Sequence, residues 1–245
     1  MCILYSLFAY QLQLALVVIA KNHSDIATLF SLVSNVVNVV GASCKRRDIL
    51  REKQAARILE ALKIDEITSG QGLNQESTLI RASDTRWGSH YGILLSLISM
   101  FQSVIDVLDT IVEDGSNSKQ RGEASNLLYS MQSFEFVFSL HLMRSILGIT
   151  NDLSQALQRK DQDIVNAMRL VQLSKQRLQL MRDSGWSSLL NDITSFCGKI
   201  CIDVPSMDDM YIALRRSRHK AQQMTNSYHF EVELFYAIKI GRAHV

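Results

Sequence analysis

A single proline and eleven glycines are spread over 245 residues. Together they make up about one residue in twenty, against about 12% in an average protein. These two residues punctuate secondary structure most strongly, so a chain this poor in them favours long uninterrupted elements. Collagen-like, proline-rich and low-complexity chains are excluded. An all-β sandwich is disfavoured, since it needs turn signals every ~8–12 residues. The apolar share, 47%, is that of an ordinary globular protein.

At ~150 residues per domain the length suits one or two domains. The 26 basic and 24 acidic residues leave a net charge of +2. An autonomous nucleic-acid-binding domain usually carries a much more basic balance or a basic stripe. Cys2, Cys44, Cys197 and Cys201 show no framework spacing and fit a reducing compartment, nuclear or cytoplasmic. Residues 1–20 carry no charge until Lys21, but they lack a basic n-region, and Gln11 and Gln13 interrupt the apolar run. The expectation is a buried strand, Ile3 to Phe8, followed by a buried helix, Gln11 to Ala20, with no membrane partner.

Ile26, Leu29, Phe30, Val33, Val36, Val37 and Val40 recur at helical spacing, with Ser34, Asn35 and Asn38 opposite and Gly41 as the stop. Ser43 can cap the next helix, which is locally basic: Lys45, Arg46, Arg47, Arg51, Lys53, Arg57 and Lys63 against Asp48, Glu52 and Glu60. That face is either solvated or touches phosphates. Residues 64–83 read as a loop. A long helix capped at Asp84 or Thr85 should bury Ile93, Leu94, Leu97, Ile98, Phe101, Ile105, Leu108 and Ile111. After a turn at 113–117, helix resumes near Lys119 and runs to Leu147, apolar on nearly all sides from Phe134 to Leu142.

Gly148–Thr150 reads as a break before a short helix to Leu157. Asp161 can cap a helix from Gln162 to Arg182, with a second break at Ser184–Gly185 and a further helix to about Ile200. Pro205 opens a loop, a short turn lies within 207–214, and Arg215, Arg216 and Arg218 belong to a basic run that is either solvated or in contact with phosphates. Ser227 to Ile240 suits strand or helix. Cys197 and Cys201, four apart on one helical face, read as core residues. His90, His141 and His229 are isolated. No nucleotide-binding glycine motif and no nucleophile elbow is present.

Several stretches resemble the hAT-superfamily transposases, in particular the zinc-finger-MYM-like, TTF-domain-containing subset common in plants. They are LFAYQLQLALVVIAK at 7–21, NVVNVVGASCKRRDILREKQ at 35–54, DTRWGSHYGILLSLISMF at 84–101 and LSQALQRKDQDIVNAM at 153–168. The later RSRHKAQ and HFEVELFYAI segments add to them. The resemblance implies an RNase H-like α/β core interrupted by an all-helical insertion. The expected fold class is therefore mainly α. Residues 1–42 would be a remnant of the α/β core, 43–204 the helical insertion and 205–239 a return segment, which favours helix after Ser227.

The family's chemistry is metal-dependent DNA strand transfer by three carboxylates. The resemblance places the first two before this sequence begins and the third after it ends, together with a Ser-Glu-Arg motif. The zinc-binding DNA module is likewise not in it. The family's Cys-x-x-His before Gln-Leu-Gln-Leu is replaced by Leu7 and Tyr10. No catalytic, cofactor or metal-binding residue is carried over, no small-molecule partner is implied, and the chain itself is not expected to be an enzyme. Asp84, Arg86 and Trp87 match a family motif near the junction of core and insertion. There Trp87 fills the core, and Arg86 either pairs with a carboxylate or meets the DNA backbone.

The expected function is that of a truncated, transposon-derived fragment that retains helical contacts for self-association or for docking on a related transposase. Weak non-specific DNA binding through Lys45, Arg46, Arg47, Arg86, Arg215, Arg216 and Arg218 is the alternative, and a piece of an active transposase a third reading. Residues 240–245, IGRAHV, translate back to a common sequencing-adapter string and are expected to be non-native.

Overall fold

The scarcity of breakers is expressed as a series of long helices. The computed structural model describes residues 23–63, 79, 87–115, 117–157, 163–212 and 224–237. Helix α1 is Ser24–Gly41, α2 Cys44–Lys63, α3 Trp87–Ser99, α4 Phe101–Asp114, α5 Ser118–Met131, α6 Phe134–Leu157 and α7 Ile164–Lys199. A π-helix, Tyr228–Tyr236, follows. The protein is mainly α. Among the described residues the sole β feature is an isolated antiparallel bridge between Met210 and Thr225. The expected strand at 3–8 and helix at 11–20 lie outside the described residues, as does the expected loop at 64–83 apart from Leu79.

By packing, the chain forms two units: residues 1–27 with 133–245, and residues 28–132. These cuts fall elsewhere than the sequence-based divisions at 42 and 204. In the second unit α1 buries Leu29, Val33, Val36, Val37, Val39 and Val40. It is the one described helix long and apolar enough to cross a membrane. Its polar residues Ser34, Asn35 and Asn38 are exposed on the other side, the pattern of a core-facing helix. Ser43 caps α2 as expected, its Oγ accepting the Arg46 amide at 3.3 Å.

The long helix expected from Asp84 onwards is instead two, α3 and α4, bent by 79° at Met100. Neither glycine nor proline marks the bend. Met100 takes φ −108°, ψ 13° and is 1% exposed. The Ser99 carbonyl accepts the Gln54 amide of α2 at 3.4 Å, and Gln54 Oε1 accepts the Ser103 hydroxyl at 2.8 Å. Burial of Met100 and this clasp outweigh local helix preference, which spans less than about 1 kcal/mol for ordinary residues. Gly115 then turns the chain. A Cβ there would run into the Ile111 carbonyl and the Arg121 side chain. Asn117 caps α5, its Oδ1 accepting the Gln120 amide at 2.8 Å.

In the first unit α6 buries every residue from Phe136 to Met143, as the all-round apolar pattern predicts. Phe138 packs on Phe230 at 4.9 Å and on Trp186 at 5.9 Å, and Phe134 meets Phe230 edge-on at 5.0 Å. The helix expected from Lys119 to Leu147 is interrupted at Gln132–Ser133, where Ser133 Oγ accepts the Phe136 amide at 3.2 Å. The expected break at Gly148–Thr150 is absent. Ile146, Leu147, Thr150, Leu153 and Leu157 continue one buried face, and the Thr150 hydroxyl donates to the Leu147 carbonyl at 3.0 Å.

Asp163 caps α7, accepting the Asn166 amide at 2.7 Å. Residue 161, the expected cap, lies outside the described residues. Helix α7 passes unbroken through Ser184–Gly185 and spans 36 residues. A Cβ at Gly185 would stand 3.2 Å from Met181 Cγ in the same helix and in ordinary contact, 3.7 Å, with Phe235 of the π-helix.

Candidate functional site

The basic helix supplies the first candidate surface. Lys45, Arg47 and Lys53 are exposed on α2. Arg46 is half-buried, donating to the Val39 carbonyl at 2.8 Å and to Gln120 Oε1 at 3.0 Å. Arg57 pairs with Asp106 at 2.8 Å and Arg51 with Asp48 at 3.4 Å. Arg47 donates to Cys44 Sγ at 3.1 Å. All four of the helix's arginines thus hold local structure or carboxylates. Asp84, Arg86, Arg215, Arg216 and Arg218 lie outside the described residues. Trp87 is the first residue of α3, and its side chain lies outside them too.

The two cysteines expected on one face part company. Cys197 is buried in α7, and burial pushes its thiol up to about 11. Cys201 lies past the helix end, exposed, at φ 56°. That left-handed turn rotates it away from the face of Cys197. His90 stacks edge-on against Phe30 at 5.1 Å. His141 is buried against Phe196 at 4.7 Å.

The second candidate is a polar cluster within the first unit that no sequence spacing announces. Asp25, Glu135 and His229 are the second residues of α1, α6 and the π-helix. One donor atom of each lies within 4.8 Å of one donor atom of the others. Helix N-termini favour anionic side chains, which explains two carboxylates at these positions. His229 is 4% exposed. Its Nδ1 stands 3.2 Å from Glu233 Oε2, one turn on in the same helix. A carboxylate accepts, so Nδ1 donates, which in the neutral imidazole leaves Nε2 its lone pair. Nε2 is buried without a hydrogen-bond partner.

The surrounding groups brace this set. The Tyr211 ring stacks on His229 at 3.7 Å, and its hydroxyl donates to Glu135 Oε1 at 3.3 Å. His23 Nε2 donates to the Glu233 carbonyl at 2.9 Å, and His23 Nδ1 stands 3.9 Å from Asp25 Oδ2. The sequence offers each of these residues singly, and His229 reads there as isolated. Only the meeting of three helix starts makes them a group.

The third candidate is α7. Val165 (75% exposed), Met168 (69%), Leu173 (50%) and Leu180 (63%) leave apolar side chains in solvent, with Ile164 (50%) beside them. Val165, Leu173 and Leu180 fall at i, i+8 and i+15, which places them on one side of the helix.

No protein-family model matches the chain, and no solved structure matches it.

Proposed function

We propose that this chain is a non-catalytic helical interaction module related to the hAT-superfamily transposases, and that it acts by self-association. The motif strings at 7–21, 35–54, 84–101 and 153–168 support the ancestry. The exposed apolar side of α7 carries the interaction. Isolated surface hydrophobics are ordinary, whereas several on one side of one helix mark a contact surface. A straight α-helix of this length extends about 54 Å. Two copies laid antiparallel along it would bury the same residues on each partner, a self-complementary two-fold contact. A related full-length transposase bearing the same helix would dock in the same way.

The basic face of α2 supports the second reading, weak non-specific nucleic-acid binding, with less: Lys45 and Lys53 are exposed, while Arg46, Arg47, Arg51 and Arg57 have protein partners. Few neutralised phosphates would make such binding weak and abolished by modest salt.

Sedimentation equilibrium across a hundredfold range of concentration tests the proposal. The native chain is expected to dimerise, and Leu173→Glu with Leu180→Glu to leave a folded monomer. A native chain that stays monomeric throughout, or a double variant that still dimerises, overturns it. A DNA mobility shift at low salt on the same samples decides the second reading.

A further inference from the structure

We propose that Asp25, Glu135 and His229 form a divalent-metal site that takes Zn²⁺. The donor set is one imidazole nitrogen and two carboxylate oxygens, groups that zinc accepts at ~2.0–2.2 Å. Donors around one tetrahedral zinc stand about 3.4 Å apart, as that bond length requires. The 4.8 Å limit within which the three donors lie is closed by small side-chain rotations. Three protein donors leave one position for water.

Two observations beyond mere proximity point to a ligand. The first is the His229 Nε2 atom, buried and without a hydrogen-bond partner. Leaving such an atom unsatisfied costs about 1–3 kcal/mol, and a bound cation would satisfy it. The second is how the donors are held. Glu233 fixes the tautomer of His229 through Nδ1, and Tyr211 hydrogen-bonds the Glu135 carboxylate while its ring lies flat on the imidazole. Metal-binding histidines and carboxylates are typically oriented in this way by outer groups. The two carboxylates offset the charge of the ion, which the positive helix ends would otherwise oppose. The metal would tie together the first turns of α1, α6 and the π-helix.

Co²⁺ titration of the metal-free, full-length chain is the direct test. One Co²⁺ per chain is expected, with a visible d–d band and no thiolate-to-metal charge-transfer band. Displacement by Zn²⁺ should follow the same stoichiometry. Asp25→Asn, Glu135→Gln and Glu233→Gln should each weaken binding at least tenfold, the last because it removes only the outer carboxylate. Absence of binding up to millimolar Co²⁺, a charge-transfer band showing ligation by thiols such as Cys44 or Cys201, or affinity unchanged in all three variants would overturn the site. Should a variant not fold, the stoichiometry and spectrum of the native chain decide on their own.

Discussion

His141 shows how one buried side chain sets a pH limit. Burial is the main cause that pulls its pKa down to about 4, the Arg144 charge adds to it, and Asp192 opposes both. In the unfolded chain the same imidazole titrates near 6.5. As pH falls through 6.5, the unfolded chain gains a proton that the folded chain refuses until about pH 4. The stability tied to neutral His141 is thus fully present above 6.5 and lost between there and about 4. The shift corresponds to roughly 3 kcal/mol at the acid end, at about 1.4 kcal/mol per pH unit. Urea unfolding at pH 7.5 and pH 4.5 should show that fall, and His141→Leu should flatten it. An unchanged slope in the variant would assign the acid sensitivity to other groups.

At the scale of the element, starts are governed by single caps. Asn117→Ala in α5 and Asp163→Ala in α7 should each cost about 1 kcal/mol of stability, read as a lower urea midpoint with an unchanged slope. Helical identity was legible in the sequence wherever the apolar period was long: the buried face of α1 from Ile26 to Val40 and the all-round burial of α6 follow the pattern directly. Boundaries were legible only where a cap carried them, as at Ser43. The breaks at Met100 and Gln132 were not, because they depend on contacts. Met100 turns inward while Gln54, far away in sequence, takes the neighbouring carbonyl. Conversely, Gly148 and Gly185 look like stops and are not. A mid-helix glycine costs only about 1 kcal/mol, less than the packing that continues on either side of each.

Across the whole molecule, residues 28–132 form a unit that lies, in sequence, between the two parts of the other. Asp25, Glu135 and His229 all belong to the divided unit and come from widely separated stretches. No spacing motif can therefore reveal them. They sit singly at the starts of three helices, where an acid is unremarkable and a lone histidine usually fills the core. The exposed apolar side of α7 was no more legible, because α7 reads in sequence as two helices with a break between them. If the metal proposal holds, hydrogen exchange measured with and without Zn²⁺ should slow at 24–27, 134–138 and 228–236. Exchange at 101–131 should be unaffected. Slowing confined to the second unit would place the ion elsewhere.

The π-helix at Tyr228–Tyr236 carries one more consequence. Its wider turn brings His229 and Phe230 onto the same buried side as Leu234 and Phe235, five residues later. In an ordinary α-helix a five-residue step would swing that second pair by more than a quarter turn from the first. Both pairs are anchored: His229 by Glu233 and Tyr211, Phe235 by Trp186. Replacing exposed Val232 by alanine leaves both anchors in place, and deleting it sets the two pairs four residues apart, a step that an ordinary α-helix turns by only about 40°. The wide turn thus absorbs one residue more than an α-helix would need to present the same two buried pairs on one side.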